Sequence, residues 1–235
     1  MSGGQIAENL LRIRERITRA AGRAGRREEE ITLVGVSKTF PAEAIREAFA
    51  AGVRHFGENR VQEWEGKRAG VTDLRAEWHL VGHLQSNKAA RAAGIFDCVD
   101  SVDSFGLAER LDRARGEMPG AKPVRVLLEA RLAPEETKSG VEPENLPELA
   151  KRVIALPHLE LAGLMCIPPA GENTEASRAY FARLREFRDG LVRRLGRALP
   201  VLSMGMSHDF EVAIEEGATE VRVGTALFGA RTVKG

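Results

Sequence analysis

The sequence predicts a single (β/α)8 TIM barrel with one extra helix in front of it. Three observations lead there. The chain has 235 residues, a usual length for one α/β barrel. From residue 31 onward, short β-branched apolar runs alternate with segments of helical periodicity, eight times over. Such alternation forces parallel pairing, and eight units close the sheet on itself. No Ser/Gly-rich linker or break in composition divides the chain. Residues 1–235 therefore read as one domain, with 1–30 as the leading helix and its connector.

Each element follows from its residues. Ile6, Leu10, Ile13 and Ile17 recur at helical spacing with Arg and Glu between them, which makes an amphipathic helix. The charged run AGRAGRREEE after it reads as a solvated connector. Strand one is Thr32–Val36, and its helix runs from Pro41 to Ala51, with proline at the start and Gly52 as the stop. Strand two is placed at Val53–Phe56, ahead of GEN, with a helix from Val61 to Arg68. Strand three is EWHLVG, with a helix from Ser86 to Ala93; strand four is IFDCVDSV, with a helix from Ser104 to Arg115. Strand five, PVRVLLEA, ends in a polar loop containing EETKSG before a helix from Leu146 to Leu156. Strand six, LELAGLMCI, leads through PPAGENT to a long helix ending near Leu195. Strand seven is the short PVLSM, followed by a helix from Asp209 to Glu216, and strand eight is TEVRVG, with TALFGA after it.

Bulk composition narrows the function. The chain is 43% hydrophobic and 29% charged, which is enough for a core. A net charge of +1 gives no reason to expect nucleic acid or an acidic membrane as partner. Cys98 and Cys166 lie far apart in apolar runs and read as buried free thiols of a reducing compartment. MSGGQIAENLLRIRERI lacks the uninterrupted apolar core of a signal peptide, and no stretch has transmembrane length, so a cytoplasmic protein is expected.

In a barrel the chemistry sits at the C-terminal ends of the strands. The first strand delivers a lysine there, Lys38 in ITLVGVSKTF. Only seven of the 35 basic residues are lysine. Arginine keeps its proton, whereas lysine can be tuned to a neutral nucleophile, so a lysine retained at a strand end is a candidate for chemistry. The same rule collects Asn59 after strand two, Asp100, Glu129, and the loops SMGMSHDF and VRVGTALFG after strands seven and eight. Those last two positions commonly hold a phosphate on loop amides. Gly205 and Gly224 allow close approach, while Ser207 and Thr225 add hydroxyl donors. Singly, Ser207 reads as a helix cap and the glycines as turn formers.

Together they imply a ligand with a phosphate at one end and a group for Lys38 at the other. A phosphorylated aldehyde meets both demands, because a neutral lysine amine forms an imine with it. Pyridoxal phosphate is one such aldehyde and a sugar phosphate is another. Arg222 lies two residues before Gly224 with barrel-facing parity, where a guanidinium could donate to a pyridine nitrogen. Its alternative is an ion pair with a neighbouring carboxylate.

GVSKTFPAEAI, FGENRVQE, WHLVGHLQSNK, TKSGV, GLMCIPP and LSMGMSHDFEVAIEEGATEVRVGTALFGAR resemble the pyridoxal-phosphate homeostasis protein family, from the first helix to Arg231. The resemblance implies a barrel like the alanine racemase N-terminal domain, with the cofactor as a Schiff base on Lys38. It also implies that Asn59 lies by the cofactor ring, that Arg222 meets the pyridine nitrogen, and that Ser207, Gly224 and Thr225 hold the phosphate. Departures from the family pattern are Arg60 for a common Tyr, His83 for Pro, His208 for Asp and Arg131 for Asn. His208 would add a titrating donor beside the phosphate, and Arg131 alters the hydrogen bonding on its side of the pocket.

No metal is expected. His79 and His83 have helical spacing inside a strand pattern broken by Gly82, with no third ligand apparent. Asp97, Asp100 and Asp103 read as strand-end and helix-capping residues.

Three functions compete: a protein that holds pyridoxal phosphate and hands it on to apo-enzymes, an amino-acid racemase, and a lysine-imine aldolase acting on sugar phosphates. Two-base racemisation needs a second acid/base opposite Lys38, and in alanine racemase a tyrosine of an additional C-terminal domain supplies it. The sole tyrosine here, Tyr180, has Phe181, Leu184 and Phe187 at packing intervals and reads as core. A pyridine nitrogen facing Arg222 is also a weaker electron sink than one protonated by an aspartate. The cofactor-holding function is the expectation. Lys138, in the loop after strand five, is a second amine that could take the aldehyde during release.

Overall fold

A computed structural model describes residues 4–132, 139–169 and 174–230. Lys138 and Arg231 lie outside the described residues. The strands are β1 Thr32–Val36, β2 His55–Glu58, β3 Glu77–Leu80, β4 Cys98–Val102, β5 Val124–Glu129, β6 Leu159–Met165, β7 Val201–Met206 and β8 Glu220–Val223. They close into a barrel in sequence order, every neighbour parallel. The join between β8 and β1 sets Arg222 beside Val34 and Val223 beside Gly35.

The leading helix α1, Gln5–Arg23, buries Ile6, Leu10, Ile13 and Ile17 as the periodicity requires. It packs against α2 (Ala42–Ala51), α8 (Phe210–Glu215) and α9 (Thr225–Phe228), so it braces the outside of the β8–β1 join. Arg16 pairs with Glu211 at 2.7 Å and lies over the Phe210 ring. Arg23 pairs with Glu215. The connector is less solvated than its charge suggests: Arg26 donates to the carbonyls of Ile214 and Ala218, at 3.2 and 2.7 Å, and pins the segment to the end of α8.

The remaining helices are α3 Val61–Arg68, α4 Ala89–Ile95, α5 Phe105–Gly116, α6 Leu146–Ile154 and α7 Arg178–Leu195. Three strands are displaced from their sequence positions; β4 starts three residues late because α4 runs on to Ile95. β2 starts two residues late because Gly52 closes α2 in the left-handed region and Val53 is spent bonding back to Ala48. That shift brings Gly57 and Glu58 into the strand. β7 runs on to Met206 through Gly205, whose φ is +89° and where a Cβ would lie 2.5 Å from that of Ala213. Only glycine lets α8 fold back that closely. The segment TALFGA forms the short α9. Tyr180, on α7, packs against the apolar core as its neighbours predicted. Both cysteines are buried free thiols, and burial pushes the Cys166 thiol up to about 12. Among the described residues no helix is long and apolar enough to cross a membrane.

Candidate active site at the barrel mouth

The six residues singled out from the sequence fall on one arc of the barrel, β7-β8-β1-β2. Lys38 lies two residues past β1, Asn59 follows β2, Ser207 follows β7, and Gly224 and Thr225 follow β8. Arg222 sits one step below them, buried on β8. Its guanidinium reaches past β7 to the end of β6, donating from Nη1 to Ser203 Oγ at 2.7 Å and from Nη2 to the Cys166 carbonyl at 2.9 Å. Neutral oxygens therefore hold it in place, where the sequence left an ion pair open. Arginine offers five N–H groups and these bonds use two.

The lysine turn and the β8 loop abut. A Cβ on Gly224 would lie 3.4 Å from the Val36 carbonyl, and the rings of Phe40 and Phe228 stack with centroids 5.0 Å apart. The loops after β7 and β8 are tied by Ser207 Oγ, which accepts from the Ala226 N–H at 3.4 Å. Ser207 thus bridges two loops and does not cap α8, whose first turn is preceded by Asp209; the Asp209 carboxylate accepts from the Met206 N–H. On the far side of Lys38, the loop after β3 lies tight on Asn59. A Cβ at position 82 would come 2.4 Å from the Asn59 carbonyl oxygen and 2.7 Å from its Oδ1, so glycine is required there. His208 is exposed, and Arg131 pairs with Glu142.

An arc of one lysine, one guanidinium, two hydroxyls and glycine-flanked amides offers donors and an amine. It suits an anionic ligand that carries an electrophilic carbon. Residues 6–232 match the family described as alanine racemase, N-terminal domain. The chain belongs to that family.

Within the alanine racemase N-terminal domain family its likenesses differ in depth. It is 50% identical over 224 residues to the pyridoxal phosphate homeostasis protein of Aquifex aeolicus, which covers 95% of this chain and 97% of that one. PipY of Synechococcus elongatus, solved with pyridoxal phosphate bound, is 44% identical with a TM-score of 0.85, covering 96% of this chain and all of that one. An alanine racemase of Clostridium difficile is 16% identical with a TM-score of 0.75, and the match covers 98% of this chain and 58% of that chain. At that identity the likeness is one of fold.

Below the mouth, this member of the family carries a layer of charge that sequence reasoning missed. His79 is fully buried, with Nδ1 3.3 Å from Asp100 Oδ2 and 3.9 Å from Glu220 Oε2. Its Nε2 meets His55 Nδ1 at 3.2 Å, and His55 Nδ1 lies 2.9 Å from Glu77 Oε2. Arg125 donates to Glu77 at 3.2 Å and to Cys98 Sγ, and the Cys98 thiol donates to Asp100. Asp100 is therefore an interior ion partner and not a helix cap. Asp103 instead pairs with exposed His83, Asp97 accepts from the Trp78 N–H, and Ser104 caps α5. His79 and His83 do not share a site. His55, Glu77 and His79 do cluster as metal ligands could, but the Arg125 guanidinium already occupies that corner and opposes a cation.

Burial would discharge His79, yet Asp100 and Glu220 outweigh it and hold its pKa above the ordinary value. Burial and Asp100 push Glu220 up. The hydrogen bond from His55 holds Glu77 down to about 2, against its partial burial and with help from Arg125. A depressed carboxylate contributes stability above its ordinary 4.5 and loses it as pH falls toward 2. Glu77→Gln is expected to lower unfolding free energy by about 1 kcal/mol or less at neutral pH, since the side chain is 45% exposed and screened. Urea unfolding of both proteins across the acid range should show the gap closing as pH falls below about 4.5. A gap that stays constant across that range would mean the network does not stabilise the fold.

Proposed function

We propose that this chain binds pyridoxal 5'-phosphate on Lys38 and serves intracellular homeostasis of that cofactor, supplying or buffering it for apo-enzymes. The observation that carries the reading is the contact between the Lys38 turn and the β8 loop above Arg222. The donor set fits the group. The Lys38 amine would hold the aldehyde end of the cofactor through a carbon–nitrogen bond formed with loss of water. Ser207, Thr225 and the amide of Gly224 would hold the phosphate, Arg222 would donate to the ring nitrogen, and Asn59 would lie beside the ring. Bound there, the cofactor supplies an electrophilic carbon and an electron-accepting ring. The chain acts as one domain in the cytoplasm and as a carrier, not an enzyme. The described mouth offers no tyrosine, because Tyr180 lies on α7 in the outer packing. A guanidinium at the ring nitrogen also leaves that nitrogen unprotonated and its electron sink weak.

The test mixes cofactor-loaded protein with an apo pyridoxal enzyme and, separately, with single enantiomers of alanine and serine. Activation of the apo-enzyme without racemisation is the expected result. Rapid racemisation with no transfer of cofactor would replace the carrier with a racemase.

A further inference from the structure

The turn that carries Lys38 is strained. Thr39 has φ of +68°, and it is the one non-glycine residue with positive φ among the described residues. That region is costly for a β-branched side chain, and such strain persists only where the surroundings over-determine it. The surroundings here centre on Lys67, on α3. Its side chain is 10% exposed, and Nζ donates to the carbonyls of Ser37 at 2.8 Å and Phe40 at 3.2 Å, the residues flanking Lys38 and Thr39. Its charge is met by Glu58 Oε1 at 2.8 Å and Glu63 Oε1 at 3.2 Å. Each carboxylate also holds the turn directly: Glu58 accepts from Ser37 Oγ at 2.5 Å, and Glu63 accepts from the Thr39 N–H. An ammonium has three donors and no acceptor, and four oxygens surround this one.

We propose that Lys67 is a positioning residue for Lys38, clamping with Glu58 and Glu63 the strained turn that aims the Lys38 amine into the mouth. The inference rests on the reading of Lys38 as the cofactor lysine. Lys67 Nζ is engaged by four oxygens and is therefore not a competing nucleophile. Without it the two carbonyls lose their shared donor, Thr39 relaxes out of the left-handed region, and the amine leaves its aim.

The full-length protein is titrated with pyridoxal phosphate and followed by its visible band, with the pH midpoint of that band and the thermal midpoint measured alongside. Lys67→Met is expected to bind about tenfold more weakly, equivalent to about 1.4 kcal/mol, and to shift the pH midpoint of the band. Adding Thr39→Gly removes the conformational penalty, so affinity should return while thermal stability does not. Wild-type affinity and pH midpoint in Lys67→Met would overturn the clamp. So would a loss of affinity that Thr39→Gly leaves untouched, since that is the mark of plain structural support. Should Lys67→Met fail to fold, Glu63→Gln, at a partly exposed position, decides: weaker binding supports the clamp and unchanged binding overturns it. A visible band that survives in Lys38→Ala would sink the underlying reading of Lys38 instead.

Discussion

Lys38→Ala is expected to abolish the visible absorbance of the cofactor-loaded protein and to leave only weak, reversible binding of pyridoxal phosphate. The covalent bond needs an amine within reach of the aldehyde while the phosphate is held, and on the proposed reading the β1 end meets both demands. Val36 lies against Gly224, and the next residues carry Lys38 across the rim of the mouth. The neighbouring lysine cannot substitute, because Lys67 is engaged by two carboxylates and two carbonyls. The proposed phosphate donors are unchanged in the variant, so noncovalent binding should persist. Absorbance and equilibrium dialysis on the same sample separate the two effects. A variant that keeps the wild-type visible band would place the bond on another lysine.

Ser207→Ala combined with Thr225→Val should weaken cofactor retention by about a hundredfold or more. On the proposed reading each change removes a donor to a charged acceptor, worth about 1.5–3 kcal/mol. The two losses need not add, because Ser207 Oγ also accepts from the Ala226 N–H and its removal loosens the β8 loop that presents Thr225. The covalent band should still form at saturating cofactor, since Lys38 is untouched. Dialysis half-times of loaded wild type, single variants and double variant give the measurement. Unchanged retention in the double variant would put the phosphate elsewhere in the mouth.

The barrel and its mouth were legible in the sequence because both depend on local periodicity and on one topological rule. Strands written as apolar runs alternate with helices, and a closed parallel barrel gathers their C-terminal ends. Lys38, Asn59, Ser207, Arg222, Gly224 and Thr225 could therefore be assembled without knowing a single contact. What stayed hidden depends on long-range pairing. His55, Glu77, His79, Asp100, Arg125 and Glu220 lie on five different strands, and nothing local marks them as one network. Asp100 consequently read as a strand-end or helix-capping residue. Lys67 sits on a polar helix of weak amphipathic character, thirty residues from the carbonyl of Ser37 that it holds. The strain at Thr39 is likewise invisible, since threonine gives no sequence signal for a left-handed backbone. The late start of β2 has a local cause, but the bond from Val53 back to Ala48 that fixes it does not show in the residue pattern.

The most direct measurement is borohydride reduction of the loaded protein followed by mass mapping of its peptides. Reduction fixes the bond between amine and cofactor, so each lysine reports separately. One cofactor per chain is expected, carried on the peptide containing Lys38, with none on Lys67. An adduct confined to Lys67 or Lys138, or no adduct on a protein that has taken up the cofactor, would contradict that expectation.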